Sequence, residues 1–279
     1  MRTHNLGSAR VPVIGQGTWN LEQAPRDAAV AALRRGLDLG LRHIDTAEMY
    51  GAGRAEAIIA EAIAGRRDEA FLVSKVLPSN ASRRGTIAAC EASLKRLGTD
   101  HLDCYLLHWP GSYPLAETVA AFEALKAAGK IKAWGVSNFD VEDLDALLAV
   151  AEATDIACNQ VLYHLKERAI EHAVLPWCEA HGVAVVAYSP FGHDDFPDAR
   201  SAQGRVLAEI GSARGLSPRA VALAFLTRLP SLLAIPKTAR VAHVEANAGA
   251  GGVELTAEEC ARIEAAFPLG RKGRGLPML

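Results

Sequence analysis

The chain has 279 residues, of which 50% are apolar and 22% charged, and its formal net charge is −2. That balance excludes a disordered or low-complexity chain and leaves no basic field to hold nucleic acid or an anionic membrane. No apolar run reaches the roughly 20 residues of a spanning helix, the N-terminus lacks a signal peptide's apolar core, and the five cysteines show no paired spacing, so the reading is a reduced, cytoplasmic protein.

Residues 2–12 read as a short hairpin that plugs the bottom of a barrel. Short apolar runs follow at 13–17, 42–44, 70–74, 102–107, 131–136, 155–158, 183–187 and 232–235. Each is rich in Val, Ile, Leu or Phe, as strands buried on both faces are. The intervening segments carry helical stripes. Segment 25–39 sets Ala28, Ala32, Leu33 and Leu37 on one face, and segments 83–97 and 117–128 do the same before Gly98 and Gly129. Asp140 is placed to cap a helix over 141–150. A polar loop spans 191–200, and a helix at 257–266 with a tail at 268–279 follows the last strand.

No linker divides this alternation, so residues 1–279 read as one domain, a closed parallel (β/α)8 TIM barrel with an N-terminal hairpin and extra C-terminal helices. The competing open, doubly wound sheet is disfavoured. After Gly15 and Gly17 the third position of a GxGxxG fingerprint is Asn20.

In a barrel of this kind the chemistry sits at the carboxyl ends of the strands. The residues there include Thr18 and Trp19, then Asp45 through Tyr50, Lys75, His108 and Trp109. Ser137 and Asn138, Gln160, Tyr188 and Ser189, and Lys237 and Thr238 follow. Asp45, Tyr50, Lys75 and His108 form a coherent acid device. An ammonium beside a phenol lowers its pKa, a carboxylate keeps the ammonium charged and aimed, and a neutral imidazole orients a carbonyl. Each residue alone has a plainer reading as a cap, a surface lysine or a core histidine. Four together at the barrel mouth point to function.

Other chemistries compete for the same residues. His43 and Asp45 form an HxD on a strand, where both side chains face the barrel, but Lys75 nearby opposes a metal cation. Lys75 as a Schiff-base amine is disfavoured by Asp45, which holds it charged. A glycosidase needs two facing carboxylates, and only Asp45 with Glu48 is available. No side chain is an obvious nucleophile, so a hydride donor completes the device. Ser189, Pro190 and Phe191 make a tight loop after strand seven. Lys237 and Thr238 follow strand eight, and Arg240 stands in the first turn of the next helix, the usual phosphate seat of this barrel. Tyr188 offers a face to a flat ring, and Ser137, Asn138 and Gln160 offer donors and acceptors to an amide. Together they read as a seat for a nicotinamide dinucleotide.

The sequence resembles the aldo-keto reductase superfamily over nearly its whole length. The matching strings are Gly15-Gln16-Gly17-Thr18-Trp19, His43-Ile44-Asp45-Thr46-Ala47-Glu48-Met49-Tyr50-Gly51, Val73-Ser74-Lys75, Leu106-Leu107-His108-Trp109, Trp134-Gly135-Val136-Ser137-Asn138-Phe139, Asn159-Gln160, Ala187-Tyr188-Ser189-Pro190 and Ile235-Pro236-Lys237. Within the family it is similar to bacterial methylglyoxal-reductase-like members, sharing Ala242-His243-Val244 with them. The resemblance implies an NADPH-dependent carbonyl reductase, with NADH as a second coenzyme and Tyr50 as the acid. It implies cofactor contacts from Gly17, Thr18, Asp45, Ser137, Asn138, Gln160, Tyr188, Ser189, Pro190, Phe191, Lys237, Thr238, Arg240, His243 and Asn247.

Many members carry an arginine for the adenosine 2′-phosphate where this chain has His243, and a glutamate where it has Ala246; Arg240 compensates. The loop 108–114 and the tail are short, which implies an open pocket walled by Trp19, Met49, Tyr50, His108 and Trp109. The expected activity is reduction of aldehydes or dicarbonyls, methylglyoxal and aromatic aldehydes among them, by a monomer that binds no metal and no macromolecule. The alternative is a nicotinamide-sensing regulatory subunit of the same fold. The intact acid set favours the enzyme.

Overall fold

The structure, a computed structural model, describes residues 1–273 and 275–279; residue 274, inside the predicted tail, lies outside the described residues. Strands β1 (Thr3–Leu6) and β2 (Ala9–Pro12) pair antiparallel across Gly7. The Gly7 amide donates to Ala157 O at the start of a sheet strand, and Leu6 and Val11 pack among Val73, Cys104, Leu106, Val186 and Leu233. The hairpin therefore fills the amino-terminal end of the curled sheet.

Eight strands form that sheet. They are β3 (Gln16–Gly17), β4 (His43–Asp45), β5 (Phe71–Val76), β6 (Leu102–Leu107), β7 (Ile131–Ser137), β8 (Ile156–Leu162), β9 (Ala184–Tyr188) and β10 (Leu232–Ala234). Neighbours in the sheet are neighbours in sequence, and every pairing is parallel. The sheet's two edges come together at parallel bridges, Ile14 with Ala234 and Gly17 with Lys237. Gly17 is required at that seam: a Cβ there would lie 2.5 Å from Ile235 O.

Helices α1 (Arg26–Asp38), α2 (Arg54–Ala62), α3 (Arg83–Leu97), α4 (Leu115–Ala127), α5 (Val141–Leu148) and α6 (Val174–His181) follow their strands in turn. Then come α7 (Ala202–Arg214), α8 (Pro218–Leu226), α9 (Val241–Ala250) and α10 (Ala257–Ala266). Asp140 caps α5 reciprocally with Asp143, as the sequence predicts, and α3 stops at Gly98 in the left-handed region. Helix α9 packs on both α8 and α1, and α7 packs on α10.

Three expectations change here. The extra helices are not all C-terminal, because α7 lies between β9 and β10. Its inward positions include Gly204 and Gly211 beside Leu207 and Ile210, so its apolar stripe is weak. Arg240 is the residue before α9 rather than part of its first turn. Strand β8 also runs past the predicted 158 to Leu162, because Asn159 and Gln160 satisfy their amides inside the protein and so lie in a strand despite their polarity.

Candidate active site

Asp45 is the last residue of β4, and Lys75 stands near the end of β5; both are fully buried. Lys75 Nζ donates to Asp45 Oδ1 at 2.6 Å, to Thr46 O at 2.8 Å and to the Tyr50 hydroxyl at 3.1 Å. An ammonium has three protons, so its donors are all engaged and its aim is set. The second carboxylate oxygen of Asp45 accepts from Gln160 Nε2 at 2.7 Å, which ties β4 across the sheet to β8. Thr18 Oγ1 donates to Asp45 O at 2.8 Å.

His108, just past β6, sets its ring edge-to-face with Tyr50 at 5.8 Å between centroids. Asn138 Nδ2 donates to His108 O and to Ser137 Oγ, both at 3.1 Å. The Tyr188 hydroxyl donates to Asn138 Oδ1 at 2.9 Å, and Ser137 Oγ donates to Gln160 O at 2.8 Å. The residues read from sequence as amide-recognising groups are therefore linked to one another and to the acid residues.

Burial shapes the electrostatics. It pushes the His108 imidazole down to about 2, with the Lys75 charge adding to the effect, so the ring is neutral. Burial raises the Tyr50 phenol, and Lys75 only partly reverses this. The expectation that Lys75 brings the phenol below its ordinary value is thus corrected, because desolvation of the phenolate outweighs the ammonium. Burial opposes the charge on Lys75, but Asp45 and Tyr50 together win, and its pKa stands above the ordinary lysine value. A charged, fully bonded ammonium is a poor Schiff-base nucleophile.

The HxD pair does not assemble a metal site. Both carboxylate oxygens of Asp45 are engaged, and among the described residues no group of three or more His, Cys, Asp or Glu side chains is arranged to hold a metal. His43 is fully buried with both ring nitrogens unpartnered, and burial lowers it to about 4.

A cavity of about 540 Å³ opens above these groups. Gly17, Thr18, Trp19, Asp45, Met49, Tyr50, His108 and Trp109 line it, as do Ser137, Asn138, Gln160, Tyr188, Ser189, Pro190, Phe191 and Lys237. Lys75 lies beneath the lining. Thr238 and Asn247 flank a small adjoining crevice that shares Gly17, and Arg240 and His243 border neither space. Arg240 and His243 nevertheless sit together at the start of α9: the Arg240 amide donates to Thr238 Oγ1 at 3.0 Å, and His243 Nδ1 lies 3.5 Å from that oxygen.

Sequence reading missed several lining groups, among them Asn20, His193, Asp194, Met278 and Leu279. His193 and Asp194 belong to the loop flagged as polar, and the His193 ring tilts against Trp19 at 5.7 Å. Met278 and Leu279 carry no sequence signal, because only the tail's return over the mouth brings them there. The short tail therefore narrows the pocket that it was expected to leave open.

A curled sheet of eight parallel strands with a Tyr–Lys–Asp–His cluster at the strands' carboxyl ends defines the class. The model of the Aldo/keto reductase family matches residues 13–267, and the chain belongs to that family. It is 46% identical to methylglyoxal reductase YeaE of Escherichia coli, over 98% of this chain and 97% of that protein. It is 32% identical to a glyoxal reductase of Bacillus subtilis, over 95% of this chain and 91% of that one. Among solved structures, an aldo-keto reductase from Klebsiella pneumoniae in complex with NADPH superposes with a TM-score of 0.93 at 46% identity, covering 100% of both chains.

Proposed function

We propose that this protein reduces aldehydes and dicarbonyls of the methylglyoxal type to alcohols, with NADPH as the reductant and Tyr50 as the general acid. The observation that carries the reading is the bonded series Asp45–Lys75–Tyr50 at the cavity floor, at 2.6 and 3.1 Å. The names of the E. coli and B. subtilis relatives and the NADPH in the Klebsiella structure support it. The protein acts as a single-domain monomer, and the bridges at Ile14 and Gly17 support a closed barrel.

The residues present fit a nicotinamide dinucleotide. Asn138 and Gln160 are nearly or fully buried and line the cavity; their amide oxygens, and the second N–H of Gln160, have capacity beyond the bonds already made. Ser137, Asn138 and Gln160 would hold the carboxamide, and Tyr188 would face the ring. Gly17, Thr18, Ser189, Pro190 and Phe191 would line the path. Lys237, Thr238, Arg240 and His243 would take the phosphate end, with Asn247 on the adenine side. When bound, the reduced coenzyme supplies the hydride.

Everything else is done by this chain's side chains. Tyr50, whose phenol holds its proton firmly, gives it to the carbonyl oxygen as charge builds there. The Lys75 ammonium stabilises the phenolate left behind, and Asp45 keeps that ammonium charged and aimed. His108 stays neutral. Its Nδ1 is buried without a partner, so the proton resides on Nε2 and directs the carbonyl oxygen. Trp19, Met49 and Trp109 bring apolar walls around the substrate.

The deciding experiment follows loss of reduced-nicotinamide absorbance with NADPH and NADH separately, over an aldehyde panel that includes methylglyoxal. Turnover of several members with NADPH is expected. Coenzyme binding without turnover of any carbonyl would overturn the reading.

A further inference from the structure

Glu48 is the strand-end carboxylate left without a role once the acid cluster is assigned. It does not line the cavity, and it sits two residues before Tyr50. Its side chain turns to the segment after β5: Oε1 accepts from the Leu77 amide at 2.7 Å and from Asn80 Nδ2 at 3.0 Å.

These contacts extend the β4–β5 ladder past its end. The regular register stops at Asp45 with Val73. Beyond it Thr46 N donates to Val73 O at 2.8 Å, and the next backbone bond, Glu48 N to Lys75 O, stretches to 3.4 Å. As the backbone ladder weakens, the Glu48 carboxylate takes over the join. Tyr50 then enters a turn with Gly51 at φ 56° and Ala52 at φ 54°, left-handed backbone that glycine adopts freely and that strains the alanine. Tyr50 and Lys75 belong to the two segments so joined, and their 3.1 Å contact depends on the relative placement of those segments.

We infer that Glu48 is a positioning residue for catalysis, a carboxylate clasp between the Tyr50 turn and the segment following Lys75 that sets the phenol–ammonium contact. The inference rests on the reading of Tyr50 as the acid. It acts through geometry, so it differs from a second catalytic carboxylate.

The test uses the full-length enzyme with NADPH and an aldehyde substrate, and reads kcat, its pH profile and the coenzyme Kd by tryptophan fluorescence. Glu48→Ala is expected to lower kcat about tenfold or more while the coenzyme Kd stays within about twofold. The basic limb of kcat moves to higher pH, because the phenol loses the ammonium that holds it down. Glu48→Gln retains most of the parent kcat, since an amide oxygen accepts from both donors. Asn80→Ala, which removes one of the two bonds, gives a smaller loss with a limb shift in the same direction, and it serves where Glu48→Ala fails to fold. A Glu48→Ala kcat within about twofold of the parent overturns the inference, as does an unmoved basic limb in Asn80→Ala and Glu48→Ala, or a Glu48→Gln enzyme as impaired as Glu48→Ala. Tyr50→Phe measured alongside separates the two failures: if it keeps activity, the acid reading falls and this inference with it. An inert Tyr50→Phe beside a normal Glu48→Ala overturns this inference alone.

Discussion

Burial holds the Tyr50 phenol in its protonated form with the Lys75 ammonium 3.1 Å from its hydroxyl, the arrangement that the proposed acid role requires. Replacing it with phenylalanine removes the hydroxyl and little volume. Turnover is expected to fall by about 10²–10⁴-fold with coenzyme binding nearly unchanged, and Lys75→Met to be comparably harmful. Steady-state kinetics with parallel coenzyme titrations check this, and a Tyr50→Phe enzyme with most of its activity intact would sink the assignment. Because Asp45 is already shared between Lys75 and Gln160, exhaustive chelation should leave turnover unchanged; activity lost to chelator and restored by one metal would revive the HxD reading. The buried imidazoles set a pH dependence of stability. His43 titrates at about 4 and His108 at about 2 in the folded protein, both below the ordinary value of 6.5. Between pH 6.5 and about 4 the unfolded chain therefore binds more protons than the folded one, and stability falls as the pH drops through that window. For His43 the loss by pH 4 is on the order of 3 kcal/mol. Denaturant unfolding at several pH values checks it, with a shallower slope expected for His43→Leu; a flat profile in the parent would contradict the burial account.

At the scale of elements, strain gathers where the strands end. Among the described residues, the non-glycine positions with left-handed backbone are Asn20, Ala52, Asn138, Ser189 and Asp194. Four of them line the cavity and the other sits beside the Tyr50 turn. The hydrogen bonds of Asn138 to His108 O and of Tyr188 to Asn138 show what holds one such turn in place. The seam between β3 and β10 is the other demanding element. Gly17→Ala would drive a methyl group into Ile235 O, so a loss of roughly 1–3 kcal/mol is expected, with weaker dinucleotide binding. Chemical denaturation and a coenzyme titration measure both, and parent-like values would mean that the seam can spread without cost.

At the scale of the whole molecule, groups from strands far apart in sequence meet over one cavity, and the proposed phosphate end lies toward its edge, where Lys237 lines it. Lys237, Thr238, Arg240 and His243 surround the start of α9, where the extra 2′-phosphate of NADPH would add charge. Charge-assisted hydrogen bonds are worth about 1.5–3 kcal/mol each, so even two would favour NADPH at least tenfold. Lys237→Ala and Arg240→Ala should each lose part of that preference. The ratio of kcat/KM for the two coenzymes is the readout, and equal use of NADH by the parent would reduce these residues to a solvated helix end.

Much of this protein was legible in its sequence because the signals are local. Doubly buried strands must be apolar runs, helices between them must carry a stripe, and a barrel presents its chemistry at the strands' carboxyl ends, so Asp45, Tyr50, Lys75 and His108 stood out as a set, though none did so alone. Other features depend on partners distant in the chain. Asn159 and Gln160 stay in strand β8 only because Phe139 and Asp45 satisfy their amides. The Tyr50 phenol rises instead of falling because desolvation, a property of the assembled core, exceeds the pull of Lys75. Met278 and Leu279 reach the mouth through the path of the tail, and Glu48 meets Leu77 and Asn80 only once β4 and β5 lie side by side. Patterning within the chain determined the order of apolar strands and striped helices, though not the weakly striped α7 or the end of β8. Burial and long-range hydrogen bonding, which exist only in the folded molecule, decided which of those residues carry charge, which touch the cavity and which hold the others in place.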